Sequence, residues 1–320
     1  MNISLKYLQQ QSSFSQLMIL VALIIVTAFL TLFLGILLAV PFFGKDIFVL
    51  IAQASEMNTP QDVALLKYLQ VVSQAGIFIL PAFVFAALMS DRLWHYLQMN
   101  SLPDARQMLA VFFLVFAILP GINWLMEINA AMSLPSWLQG VESWMRASED
   151  EAARLTEGFL ATTTPGGLIA NLFIIALMAA VGEELLFRGI LQKLFTNWLG
   201  NVHLGVLVTS VLFSMFHLQF FGFLPRLLLG ILFGYMLVWS GSLWLPVLAH
   251  FINNASAVLV YYFYNRGAIT TPAEDFGTIH NLPLLMLSLL VSAALLFVIY
   301  QYRKKGEKTE VGRQRLDFEK

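Results

Sequence analysis

Long apolar runs recur along this chain, at about residues 17–40, 69–90, 107–127, 167–195, 203–221, 223–240, 243–264 and 282–302, and they leave few folds open. A helix needs about 20 consecutive apolar residues to cross the hydrocarbon core of a bilayer, and several of these runs reach that length. Inside lipid every backbone N–H and C=O must find its partner within the protein, which restricts spanning structures to helices and closed barrels. Continuous runs of this length predict helices, since barrel strands alternate polar and apolar residues. The expected fold is all-α, a polytopic membrane helix bundle of about eight transmembrane helices. The first run, Leu17 to Val40, exceeds the roughly 7–15 residues of a signal-peptide core and lacks a clear small-x-small cleavage pattern, so it reads as the first span.

No repeat or low-complexity segment interrupts the runs, but loops are longer in the first half. Three segments are expected on that basis: residues 1–160 as N-terminal accessory helices, three spans and a loop; residues 161–302 as the catalytic membrane domain; and residues 303–320 as a basic tail. The tail holds Arg303, Lys304, Lys305, Lys308, Arg313, Arg315 and Lys320, and positively charged flanks stay in the cytoplasm. An even span count then puts both termini there, and the loop with Glu142, Glu149, Asp150, Glu151 and Glu157 outside. Within that loop Val141, Met145, Ala152, Leu155 and Phe159 recur at helical spacing. It reads as an exposed helix with a solvated face, on which Asp150 and Arg154 stand four apart.

The net charge is −1 and no basic stripe is interleaved with aromatics, so nucleic acid is not an expected partner. The expected partners are the bilayer itself and a membrane-associated or lipidated peptide or protein. Cysteine is absent, which removes disulfides, thiolate zinc ligands and thiol nucleophiles together.

Three polar clusters interrupt the apolar second half: Glu183-Glu184-x-x-x-Arg188, Phe213-x-x-x-His217 and His250-x-x-x-Asn254. An ionisable side chain at bilayer depth costs about 2.5–3.5 kcal/mol on insertion scales, so its presence is a mark of function. Glu184 and Arg188 share a helix face and can pair. Glu183 lies about 100° around the helix and is left available for chemistry. If the topology is as expected, Glu183, His217 and His250 all fall between the midplane and the cytoplasmic surface. A carboxylate with two imidazoles suits hydrolysis in which water is the nucleophile. Glu183 takes the proton of water, His217 orients it, and His250 with the Asn254 amide meets the developing oxyanion. An alternative places a divalent metal, zinc first among the candidates, on Glu183, His217 and His250. Both schemes use the same residues. Taken singly, each cluster also has a packing explanation. His95, His203 and His280 read as solvated loop residues, and Gly230-x-x-x-Gly234 as a helix contact.

The ordered trio resembles the signature of the CPBP family, the CAAX proteases and bacteriocin-processing (Abi) enzymes, over about residues 167–264. The resemblance implies an intramembrane endopeptidase of the type II CAAX prenyl endopeptidase kind, also similar to lysostaphin-resistance-like proteins. By position it implies that Glu183 and His217 activate water and that His250 and Asn254 stabilise the oxyanion or complete a ligand set. Glu184, Arg188 and Phe213 take supporting places. The resemblance implies a metalloprotease, the usual label of that family, and the metal-assisted scheme is the one expected on that basis; a metal-free, glutamate-driven mechanism is also compatible with the family. A polytopic transporter and a non-catalytic scaffold or immunity protein are the competing classes; a transporter would be expected to show internal repeats, and a scaffold has no need of four costly polar side chains.

Overall fold

The computed structural model describes residues 6–54, 56–57 and 59–303. Long helices account for most of them: α1 Ser13–Phe43, α2 Pro60–Met89, α3 Ala105–Ala130, α4 Gln139–Leu160, α5 Pro165–Leu199, α6 Val202–Phe216, α7 Phe223–Ser240, α8 Trp244–Asn265 and α9 Leu282–Gln301. No strand occurs among the described residues, and the all-α polytopic bundle expected from hydropathy is the observed fold. Seven of its helices are long and apolar enough to cross a membrane, α7 together with the 3-10 turn Phe220–Gly222 that leads into it. The fifth expected span, 203–221, is realised as α6, a helix of only 15 residues, about 22 Å at 1.5 Å per residue. It ends before it could cross a core of about 30 Å. The tail from residue 304 lies outside the described residues.

Chain chemistry sets several of these boundaries. The second span begins at residue 60, nine positions before its apolar run, because Thr59 and Asp62 form a reciprocal cap. Thr59 Oγ1 accepts from Asp62 N at 3.2 Å, and Asp62 Oδ2 accepts from Thr59 N at 2.8 Å. Pro60 at the first turn suits a position whose N–H has no helical partner. Hydropathy missed this turn because Gln61, Asp62 and Lys67 dilute it. Halfway along, α2 widens into a π-helical stretch at Ala75–Ile79, and there α1 comes close: Thr27 Oγ1 donates to Gly76 O at 2.6 Å. A Cβ at residue 76 would lie 3.1 Å from Ala28 Cα, so only glycine permits the approach.

Two large apolar clusters, beside a smaller one at Ala39, Ile47, Ala54 and Leu65, hold the bundle together. Leu20, Phe78, Phe85, Leu185, Phe187, Ile190 and Phe213 join α1, α2, α5 and α6, so helices on either side of residue 160 share one core. Val111, Leu114, Phe233, Met236, Leu245 and Ile299 join α3, α7, α8 and α9. The outer faces of α1 and α9 stay bare, with Phe29, Phe33, Leu38, Leu290 and Phe297 exposed. Apolar surface of this extent is foreign to water and suited to lipid. The protein is an integral membrane protein.

The charged helix α4 is the exposed helix expected over this segment. Arg154 bonds Glu151 at 2.7 Å, three residues back, instead of Asp150. The i, i+3 spacing puts both oxygens of Glu151 within reach of the guanidinium, at 3.0 and 2.7 Å. Arg146 pairs with Glu142, four residues back, with Nε and Nη2 both donating to Oε1 at 3.0 and 2.7 Å, while Oε2 accepts from Leu134 N at 2.8 Å. These bonds hold the Glu142 and Glu151 carboxyls below the usual carboxylate range.

Candidate active site

Helix α5 carries Glu183 and Glu184 at the end of its short α-helical stretch Ala179–Glu184 and Arg188 in the π-helical segment Leu185–Leu191 that follows; another π-helical segment, Leu172–Met178, precedes them. Such bulges disturb the regular helical ladder and recur at functional sites. Glu184 and Arg188 meet as their spacing predicts, Arg188 Nη1 donating to Glu184 Oε1 at 2.9 Å, and their side chains are 0% and 1% exposed. A charge pair this deep is costly unless its remaining donors and acceptors are also used; those of Arg188 find partners, whereas Glu184 Oε2 has none among the described residues. Arg188 Nη2 donates to Gly230 O at 3.1 Å, and the guanidinium lies 4.4 Å from the centre of the Phe213 ring. One turn further on, Gln192 Nε2 donates to Gly234 O at 3.1 Å. Gly230 and Gly234 let α6 close against α7, since a Cβ at 230 would stand 3.0 Å from Ser210 Cβ. The small-residue pair read as a helix contact does serve that purpose.

Glu184 has a second partner, one that spacing alone does not suggest. His250 of α8 places Nδ1 at 2.9 Å from the same Oε1. With Nδ1–H held by the carboxylate, His250 presents Nε2 to Glu183, 3.9 Å from Oε2. That Glu183 oxygen is buried and has no hydrogen-bond partner among the described residues. The two glutamates differ in their partners: Glu184 Oε1 takes both the Arg188 and the His250 donor, whereas Glu183 makes no hydrogen bond to protein among the described residues; Oε2 of each is buried and without a partner there.

His217 stands at the C-terminal end of α6, where the Phe213 carbonyl accepts from Nδ1 at 2.9 Å. Its Nε2 is the nitrogen left for chemistry, and the ring is within electrostatic range of Glu183 and His250. Phe213 explains its own place in the motif. Its ring meets His217 at 5.1 Å, His250 at 6.0 Å and the Arg188 guanidinium, so one aromatic side chain spaces all three. Phe233 stacks on the other side of His250 at 5.2 Å, a contact the sequence did not reveal. Asn254 anchors α8 to α5, its Nδ2 donating to Ile175 O at 3.1 Å, while its Oδ1 accepts from Asn253 Nδ2 at 3.2 Å. The amide expected to serve the oxyanion thus has one of its two hydrogens committed to backbone.

His217 stands nearer one end of the bundle than its partners in the motif. The turn after it, Phe220–Gly222, packs on α4, which lies at the opposite end of the bundle from the tight 200–201 loop that begins α6. His217 therefore belongs to the α4 side. The reason is that α6 ends at residue 216, and His217 sits one helix length, about 22 Å, from the other face. The metal reading fares differently in chemistry and in placement. Two imidazoles with Nδ1 held and Nε2 bare, beside an open carboxylate, are the donor types of a zinc site. Yet among the described residues no three His, Asp or Glu side chains are grouped closely enough to hold an ion.

Fold and site together define a polytopic membrane protein with a buried carboxylate–imidazole centre drawn from three helices. Residues 165–256, the segment that contains the whole centre, match the type II CAAX prenyl endopeptidase Rce1-like family, and the family resemblance read from the motifs is borne out there. The chain is 32% identical over 91 residues to the uncharacterized protein YpbD of Bacillus subtilis, which covers 27% of this chain and 43% of that one. It is 31% identical over 134 residues to an uncharacterized 24.3 kDa protein of Escherichia coli, covering 41% and 59%. The matches thus span less than two thirds of either relative. No solved structure matches the chain.

Proposed function

We propose that this protein is an intramembrane endopeptidase that hydrolyses peptide bonds of membrane-associated or lipidated peptides, with residues 161–302 as the catalytic domain and residues 1–160 as accessory helices. The observation that carries this reading is the open, buried Glu183 oxygen beside an imidazole whose other nitrogen is already held. Water bound between Glu183 and His217 gives its proton to the Glu183 carboxylate as its oxygen attacks the substrate carbonyl carbon. The carbonyl π electrons move onto oxygen, and the uncommitted amide hydrogen of Asn254 meets the oxyanion. When the tetrahedral species collapses, the C–N bond breaks and Glu183 returns the proton to the departing nitrogen. His250, oriented by Glu184, keeps Nε2 where a proton can pass to or from Glu183. Incubating purified protein in bilayer discs with membrane peptides, and reading products by mass spectrometry, tests the reading; intact peptides across a broad panel would overturn it.

No step runs through a metal, because Glu183, His217 and His250 offer the right donors without the grouping of a ligand set. Protein shown by elemental analysis to lack zinc, cobalt and manganese is expected to keep its activity. Loss of activity on metal removal, regained on adding zinc, would establish the three residues as ligands instead.

The basic tail favours a cytoplasmic C-terminus; because α6, though short, still carries the chain from the 200–201 end of the bundle to the α4 end, the N-terminus falls on the same side in this proposal and α4 outside. His217, on the α4 side, then serves substrates that reach the site from the outer leaflet. With no native cysteine to interfere, cysteines introduced at Ser148 and Thr309 report the topology directly. An impermeant reagent added outside intact cells is expected to label position 148 and spare position 309; the reverse pattern would invert the assignment.

A further inference from the structure

The link after His217 is held from within its own segment, where Arg226 donates to Gln219 O and Oε1, and also from outside the segment that resembles the family. Leu218 adopts a left-handed conformation, φ +52°, where a residue with a Cβ is strained and persists only if its surroundings hold it. From there the chain turns through Phe220–Gly222 into α7, whose N-terminus has no cap from its own sequence. Its backbone groups are satisfied by two side chains from residues 1–160. Asn129, buried at the end of α3, donates from Nδ2 to Phe220 O at 3.0 Å and accepts at Oδ1 from Leu224 N at 2.7 Å. Glu149 of α4 accepts from Phe221 N through Oε2 at 3.2 Å, while Arg146 lies 4.3 Å from the Phe221 ring centre. Ser214 Oγ donates to Phe223 O at 2.7 Å and closes the loop from the α6 side.

We infer that Asn129 and Glu149 are positioning residues for His217, and that fixing this link is what the accessory half contributes to the reaction. The inference rests on the peptidase reading for its catalytic consequence, though not for the bracket itself. Asn129 caps α7 from another helix, doing for Leu224 N what an N-terminal side chain ordinarily does within one helix. Because Phe220 O and Leu224 N flank the turn, a single amide sets both its position and its tilt. His217 lies three residues before Phe220, and shifts of about 1 Å at a reacting group cost up to about 100-fold in rate.

The test uses the full-length protein in bilayer discs. Asn129→Ala is expected to lower kcat by about 10- to 100-fold with little change in KM, and to speed amide exchange across 218–224. Asn123→Ala, on the same helix but bonded to Phe276 O and Thr278 Oγ1, should leave both readouts near the starting protein. Glu149→Ala should give a smaller, few-fold loss of kcat, and Glu149→Gln should restore it, since an amide oxygen still accepts from Phe221 N. The inference is overturned if Asn129→Ala leaves exchange at 218–224 unchanged, if Asn123→Ala lowers kcat as much, or if Glu149→Gln fails like Glu149→Ala. The exchange measurement needs no substrate, so a protein that cleaves nothing removes the peptidase reading, and the catalytic use of the bracket with it, while exchange still decides whether the bracket exists.

Discussion

Replacing Glu183 by Gln is expected to lower peptide hydrolysis by about 100- to 10,000-fold while leaving the protein folded. The amide matches the carboxylate in shape, and the oxygen at stake bonds to nothing among the described residues, so no packing or hydrogen bond is lost with the charge. What disappears is the ability to take a proton from water. Substrate affinity should change little, because the missing interaction develops only as the reaction proceeds. The comparison is steady-state cleavage of one membrane peptide by both proteins, with unfolding monitored in parallel. Activity within a few-fold of the starting protein would remove Glu183 as the general base.

Its neighbour behaves in the opposite way. Glu184→Gln is expected to destabilise the folded protein by about 3–5 kcal/mol, since it leaves the fully buried Arg188 charge without its counter-charge. The same change weakens the hold on His250 Nδ1, so activity falls along with stability. A second substitution separates the two effects. Replacing Arg188 by Met in the Glu184→Gln background removes the uncompensated charge and should recover much of the stability, because buried pairs are often replaced by apolar groups at little net cost. It should not recover activity, as His250 still lacks its carboxylate. Unfolding midpoints of the single and double variants, taken in the same detergent, check this; a double variant no more stable than the single would show that Glu184 does not act through Arg188.

The two glutamates illustrate how far a one-dimensional reading reaches. Adjacent residues on a helix point about 100° apart, and residues four apart share a face, so the pairing of Glu184 with Arg188 and the separation of Glu183 were both legible. The same logic placed Phe213 with His217 and His250 with Asn254. Where local spacing offers two nearby choices it does not decide between them: Arg154 bonds Glu151 and not Asp150, and three- and four-residue spacings both bring side chains together. Hydropathy located every span but overestimated α6, since the apolar character of residues 217–221 continues through a turn that is no longer α-helix.

What the sequence determined by itself was the solvent and the local geometry: apolar runs that only lipid accommodates, and clusters whose members share a helix face. What the tertiary structure decided was every contact that crosses between helices. His250 reaches Glu184 across 66 residues, and Asn129 reaches Phe220 and Leu224 across 91 and 95. Periodicity follows from covalent geometry and backbone hydrogen bonding within a few residues, so it can be read locally. Which helices meet, at what rotation and depth, depends on how ridges, glycines and π-helical bulges fit over the whole bundle, and no stretch of sequence carries that alone.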